Sequence, residues 1–259
     1  MRKLLLLIAC ILLIRFSPRA QVTTYRPGEK VDYIIHYGLL TGGVASLELK
    51  RDTLSGRELW HSVMIARTTG IVDAIFKVKD IYESYMDSVT ELPVKSIRNI
   101  SEGRYRKYNE VFFDHTSRQD STVIDSDLTG MHIAPPNLHD ILSCFYWFRN
   151  HVLPDIENYK KGDVITIMTW FTDELYPISM KYVTQEEIRT RAGKVRCYKF
   201  NPVTEKGRLF KTEEDVSFWF SADKNFLPVK IRFDIFVGGF MVDMVSYDGL
   251  QYPLDIKIK

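Results

Sequence analysis

The sequence predicts a mainly β protein: an antiparallel, strongly curved sheet or open barrel of about a dozen strands, with one packed aromatic helix. Three observations carry this expectation. Apolar and polar residues alternate along most of the chain from Glu29 onward, the pattern of half-buried strands. Turn signals separate the alternating runs at intervals of roughly 8 to 15 residues, with no regular helices between them, so the strands join locally and antiparallel. One segment, LHDILSCFYWFRNH, replaces the alternation with apolar residues three and four apart.

Taken in order, the chain opens with MRKLLLLIACILLIRFSPRAQ, in which Arg2 and Lys3 precede an apolar run from Leu4 to Ile14. This is the pattern of a secretory signal over residues 1–20, cut after Ala20. The run falls short of the roughly 20 residues that span a bilayer, and no later stretch reaches that length, so the protein is not expected to span a membrane by a helix. A rival reading takes Leu7-Ile8-Ala9-Cys10 as a lipoprotein box with Cys10 acylated. Residues 1–20 carry four positive charges (Arg2, Lys3, Arg15, Arg19) and no acid. Without them the formal net charge moves from +2 to −2, so nothing global attracts nucleic acid. Residues 21–259 are read as one antiparallel β domain, in the periplasm if the signal is used. Cys144 and Cys197 remain; a disulfide and two buried thiols are both compatible with the sequence.

In EKVDYIIHY, Val31, Tyr33, Ile35 and Tyr37 face one way, and Asp32 and His36 the other. In GVASLELK, Ala45, Leu47 and Leu49 point inward, and Ser46, Glu48 and Lys50 outward. The runs ELWHSVMIART, VKDIYESYM, VKSIRNIS, RYRKYNEVFF, QDSTVI, DVITIMTWF, ISMKYVT, VRCYKFN, VSFWFS, VKIRFDIFV and FMVDMVSY continue the pattern. Gly42-Gly43, Ser55-Gly56, Gly162-Asp163, Ala192-Gly193 and Gly238-Gly239 punctuate it. The helix is expected to start after Pro135-Pro136, with Asn137 as cap and Asp140 at the third helical position. Leu138, Ile141, Leu142, Phe145 and Phe148 give its apolar spacing, so the segment Leu138–Phe148 is expected to pack against the sheet. A shorter helical turn is expected at GIVDAIFK.

The tetrapeptide LPVK occurs twice, at Leu92–Lys95 and Leu227–Lys230. Each copy follows an aromatic strand and an Asp-led turn (Asp87, Asp223), and Leu-Pro starts the next strand. Asp side chains accept hydrogen bonds from turn amides, and Pro is tolerated where a strand begins. The repeat therefore reads as one hairpin device used twice, with the lysines and arginines that follow (Lys95, Arg98, Lys230, Arg232) on the solvent face.

With YRPGEK, Tyr37 before GGVASLE, YESYMD with LPVK, Gly103 in SEGRYRK, LSCFYWFR, Gly162-Asp163 and WFSADKNFLPVKIRF, the chain resembles exported bacterial proteins catalogued as domain of unknown function 3108. The resemblance runs through almost the whole mature chain. It implies an exported β protein and brings no activity with it. The hairpin element is also similar to one in periplasmic lipoprotein carriers, which curve an open sheet around an apolar cavity; that similarity is analogy alone.

The sequence holds no Gly-x-Ser-x-Gly elbow, His-Glu-x-x-His, phosphate-binding Gly-rich loop or Cys-x-x-Cys. The densest group of metal-ligand types, His132, His139, Asp140, Cys144 and His151, lacks a pair on one helical face, so surface histidines are expected rather than a metal site. His36 and His61 are expected to be satisfied by strand neighbours. No metal and no cofactor are expected, and an enzyme is the less favoured reading. Arg104, Arg106 and Lys107, interleaved with Tyr105 and Tyr108, suit an anionic headgroup or glycan, or the solvated face of a strand. The residues expected to line an apolar ligand pocket are Tyr33, Tyr37, Trp60, Trp170, Phe218 and Phe220. Two function classes follow: a non-enzymatic envelope protein holding a lipid or other apolar ligand, and an envelope module that binds a protein partner. A hydrolase with a dispersed polar site is a third.

Overall fold

The computed structural model of the protein describes residues 23–203, 215–234 and 239–257. The segment 1–20, with Cys10, lies outside them. Eight strands come first: β1 (Lys30–Tyr37), β2 (Leu40–Leu54), β3 (Arg57–Thr68), β4 (Lys79–Met86), β5 (Pro93–Glu102), β6 (Tyr105–Asp114), β7 (Thr122–Ser126) and β8 (Gly130–Ala134). After a helical crossing the chain forms β9 (Val164–Phe171), β10 (Glu174–Arg189), β11 (Lys194–Pro202), β12 (Val216–Ser221), β13 (Pro228–Asp234), β14 (Gly239–Asp248) and the two-residue β15 (Ile256–Lys257). The main path runs β8-β7-β6-β5-β4-β3-β2-β1-β14-β13-β12-β11-β10-β9, and β15 adds beside β11.

Two antiparallel meanders are thus sewn into one sheet by β1, where Tyr33 pairs Ala45 on one side and Met244 on the other. The path has two ends, β8 and β9, and they meet through side chains instead of a ladder. Val111 and Phe113 of β6, Ile124 of β7 and Ala134 of β8 pack in one cluster with Trp170 of β9. Strand twist accumulates over so many strands until an open sheet curls on itself. This is the strongly curved antiparallel sheet that the alternation predicts.

The central helix begins later than its sequence suggests. It spans Ile141–Trp147, with Asp140 as the cap: the carboxylate accepts from Leu142 N and Ser143 N, and the Ser143 hydroxyl accepts from Asp140 N. Asn137 instead sits at φ +56 in the turn before it. The competing force is the sheet. His139 N donates to Met168 O at 3.0 Å and Trp170 N to His139 O at 2.8 Å, which holds His139 extended beside β9 and delays the helix. Beyond Trp147 the chain loosens into a π turn, Phe148–Val152, and a 3-10 segment, Leu153–Asn158. The expected turn at GIVDAIFK is a short helix, Gly70–Ile75.

Both LPVK hairpins form, and both hold this helical segment in place. Asp87 accepts from Val89 N and Thr90 N; Asp223 accepts from Asn225 N and the Ser221 hydroxyl. In each copy the residue before the Leu is left-handed, Glu91 at φ +60 and Phe226 at φ +47. From the first turn the Glu91 carboxylate accepts from Tyr25 Oη (2.7 Å) and Asn150 Nδ2 (2.7 Å), and meets His151 Nε2 at 2.6 Å. From the second, the Asn225 carbonyl accepts from Arg149 Nε and Nη2. Arg149 also forms a fully buried two-pronged ion pair with Glu29, Nη1 to Oε1 at 2.6 Å and Nη2 to Oε2 at 3.0 Å. The repeated device therefore clamps consecutive residues, 149–151, from two sides.

Two polar residues of the strands are less exposed than the simple alternation suggests. His36 keeps the face of Asp32 and Ile34, where it is buried with Nε2 2.9 Å from Asp243 Oδ2, and Tyr37, the last residue of β1, lies at the rim beside Phe240. Arg98 does not share the solvent face of Lys95. It has the parity of Val94 and Ile100, and its guanidinium lies over the Phe171 ring, 5.2 Å from the centroid, on the concave side.

Candidate functional site

Ile141, Cys144, Phe145 and Phe148 recur at helical spacing, so one face of the helix and its extension presents only hydrocarbon and a thiol. Opposite them stand Ile167 of β9, Ile178 and Met180 of β10, and Phe218 and Phe220 of β12, each same-strand pair two residues apart and so on one side of the sheet. These nine side chains line a half-open cavity of about 170 Å³. Its aromatic wall is ordered: Phe220 meets Phe148 at 5.4 Å and Phe145 at 6.0 Å between centroids. The Cys144 thiol is the polar exception, and burial pushes its pKa up, so it is not a nucleophile near neutral pH. For scale, an engineered cavity of ~150 Å³ with similar walls stays dry and takes benzene. The space suits a ring or a stretch of alkyl chain.

A second, smaller cavity of about 30 Å³ adjoins the start of the helix, and Ile141 lines both. Its walls include Ser96 and Arg98 of β5, Asn109 of β6, Asp140, and Trp170 and Phe171 of β9. Here the polar accounting is incomplete. Arg98 Nε and Nη1 and Trp170 Nε1 are buried with no hydrogen-bond partner among the described residues. Each such group costs about 1–3 kcal/mol.

Asp140 is the other unusual group of this region. Burial pushes its carboxyl up to about 6, against the opposing pull of bonds from Ser84 (2.5 Å), Ser143 and Leu142. A pKa raised on folding means that the native state binds the extra proton, so this stabilising contribution is complete below the unfolded value near 3.8 and is lost as pH rises through about 6. Neighbouring His139 has the opposite sign: burial lowers it to about 4, so its contribution is lost as pH falls toward that value. Asp140→Asn keeps the cap and isolates the first effect. Urea unfolding is expected to show the variant gaining on the wild type between about pH 4 and 7, by roughly 2 kcal/mol in all. A pH-independent difference would contradict the assignment.

Of the residues expected to line a ligand pocket, Phe218 and Phe220 do line the apolar cavity, and Trp170 lines the smaller polar one. The structure does not bring the others to either cavity. Tyr33 is buried in the neighbouring core and donates to the Pro228 carbonyl at 2.9 Å. Trp60 packs edge-on against Tyr25. Tyr37 pairs with Phe240 at the rim. Arg104 lies in the exposed turn between β5 and β6, Arg106 and the half-buried Lys107 lie at the start of β6, and Arg106 donates to the carbonyls of Gly103 and Tyr105. The helix-face residues Ile141, Cys144 and Phe145 belong to the site, and their spacing in LHDILSCFYWF was the available signal. For Arg98 the signal was parity with Val94.

Candidate chemical groups are occupied elsewhere. His61 lies between Asp52 (3.1 Å) and Glu83 (2.7 Å), and His132 lies tilted against the Trp170 ring. His139 is buried, not a surface residue, and contacts Ser143 and Trp147. Among the described residues no three His, Cys, Asp or Glu side chains converge as metal ligands. Cys144 and Cys197 are buried free thiols in different clusters. A larger basin of about 640 Å³ holds Asp87, Asp114 and His115. There Asp87 pairs with Arg57, Asp114 accepts turn amides, and His115 faces Pro93 O and Thr122. One end of the sheet carries an apolar rim: Leu39 is 97% exposed and Ile75 79%, beside Leu40, Ile71, Phe76 and Phe240.

The fold and cavity define a class: an open, strongly curled antiparallel sheet with a helix laid against its concave wall. Within that class, the family described as "Protein of unknown function (DUF3108)" matches residues 32–245, and the chain belongs to it. Among solved structures it is similar to a beta-barrel-like protein of the domain of unknown function DUF1849 from Brucella abortus, with 10% identity and a TM-score of 0.58, over 88% of this chain and 100% of that one. That likeness is one of fold. A protein from Parabacteroides distasonis described as a "putative lipoprotein" aligns at 9% identity and a TM-score of 0.37, over 86% of this chain and 96% of that one. A search of curated proteins gave no match. No helix among the described residues is long and apolar enough to cross a membrane.

Proposed function

We propose that this is a non-enzymatic protein of the cell envelope that holds an apolar or amphipathic molecule against the concave side of its sheet. The observation that carries this reading is the cavity under the central helix, whose nine lining residues offer hydrocarbon and one inert thiol and no acid, base or activated nucleophile. Ligand pockets are characteristically apolar with few polar groups, and curled β-sheets commonly enclose one ligand. Binding here is driven by removal of apolar surface from water, so it needs no cofactor.

Native mass spectrometry after gentle extraction should show a small apolar molecule that travels with the protein. On delipidated protein an alkyl fluorescent probe should bind and be displaced by unlabelled alkyl chains. Ile167→Trp fills the cavity and is expected to weaken the probe about tenfold or more, a loss equivalent to ~1.4 kcal/mol. Unchanged binding in that variant, with the fold intact, would place the probe elsewhere and count against the reading. The exposed rim around Leu39, Ile71, Ile75 and Phe76 favours a second reading, a docking module for a protein partner. Crosslinked pull-downs that depend on Leu39 and Ile75 would support it.

A further inference from the structure

We infer that the ligand of the apolar cavity carries a carboxylate, which is bound by Arg98 and the indole N–H of Trp170 at the small cavity beside Ile141. The inference rests on the reading of the Phe-lined cavity as a ligand site and names the headgroup that such a ligand presents.

Four observations support it. Three donors, Arg98 Nε, Arg98 Nη1 and Trp170 Nε1, are buried without a partner among the described residues, and Trp170 itself is 8% exposed. Donors with no acceptor call for an anion or another acceptor. Second, the carboxylates that share the cavity with Arg98 are committed elsewhere: Asp140 to Ser84 and the amides of Leu142 and Ser143, Glu83 to His61. Third, the space is small. About 30 Å³ is room for roughly two water-sized groups. That accommodates the two oxygens of a carboxylate. A guanidinium is also the side chain best suited to carboxylate geometry.

Fourth, the two cavities are neighbours. Ile141 lines both, and Ile167, Thr169 and Phe171 share one face of β9, with Ile167 at the apolar cavity and Phe171 under Arg98. A chain with its acid group at Arg98 can pass Ile141 and reach Phe145, Phe218 and Phe220. The ligand class is therefore an alkyl or aryl-alkyl carboxylic acid.

The test compares an alkyl carboxylic acid with the alcohol of equal chain length on delipidated full-length mature protein, by displacement of the alkyl probe near pH 8. The wild type should prefer the acid by about tenfold or more, as expected for charge-assisted hydrogen bonds. Arg98→Gln should remove most of that preference, and a urea unfolding curve like that of the wild type shows that the variant is folded. Arg98→Lys, which keeps charge but not the planar fork, should restore part of it. Equal affinity for acid and alcohol in the wild type, unchanged by Arg98→Gln, would overturn the carboxylate site and leave the apolar cavity standing. Failure of both compounds to bind the wild type would overturn both.

Discussion

Arg149→Met is expected to destabilise the protein by about 3–5 kcal/mol, the usual result of stripping one partner from a buried ion pair. The Arg149 side chain is fully buried and Glu29 nearly so. The guanidinium gives two bonds to Glu29 and two to the Asn225 carbonyl, and lies 5.3 Å from the Tyr25 ring and 5.6 Å from those of Phe145 and Tyr146. Methionine fills part of the volume but leaves a carboxylate in a low-dielectric interior. Because the loss comes mainly from the orphaned Glu29, the double variant Glu29→Leu, Arg149→Met should recover much of it. Urea midpoints for the wild type, both single variants and the double close this cycle. Additive losses would mean that the two residues do not act as a pair.

Phe220→Ala should cost a similar amount, about 3–5 kcal/mol, by a different route. Phe220 is buried between Phe145, Phe148 and Phe200, at 5.4 to 6.0 Å between ring centroids. Its removal forfeits transfer energy and opens space that the clamped helix cannot close. Since that space adds to the ligand cavity, the variant should also favour a longer alkyl probe than the wild type does. A stability loss under about 1 kcal/mol, measured by the same unfolding experiment, would show that the helix collapses onto the sheet and is not held by its clamps.

The contrast between these residues explains how much of the molecule was legible. Alternation fixes which face of a strand is buried, so the strands and the helix could be read directly, and LPVK could be read as a repeated hairpin. What the hairpins hold was not readable. Glu91 and Asn225 act on residues 149–151 across the fold, 59 or more positions away, and no local pattern encodes such a meeting. The site was half visible. Phe218 and Phe220 follow from strand parity, whereas Tyr37 keeps the parity of Tyr33 and lies at the rim because β1 ends there, which alternation does not signal. Asn137 lost the helix cap to Asp140 because His139 bonds to β9, a long-range pairing that overrides local capping preference. Arg98 could have been placed by counting from Val94, but its charge suggested solvent and its unmatched donors are visible only in three dimensions.

The ligand is proposed to lie in the space between the helix and the concave sheet. A crystal of the protein soaked with a terminally brominated alkyl carboxylic acid tests this placement. An anomalous bromine peak is expected among Phe145, Phe148 and Phe220, with the carboxylate toward Arg98. A peak confined to the exposed rim at Leu39, Ile75 and Phe240, with the helix packed shut against Phe220, would contradict it.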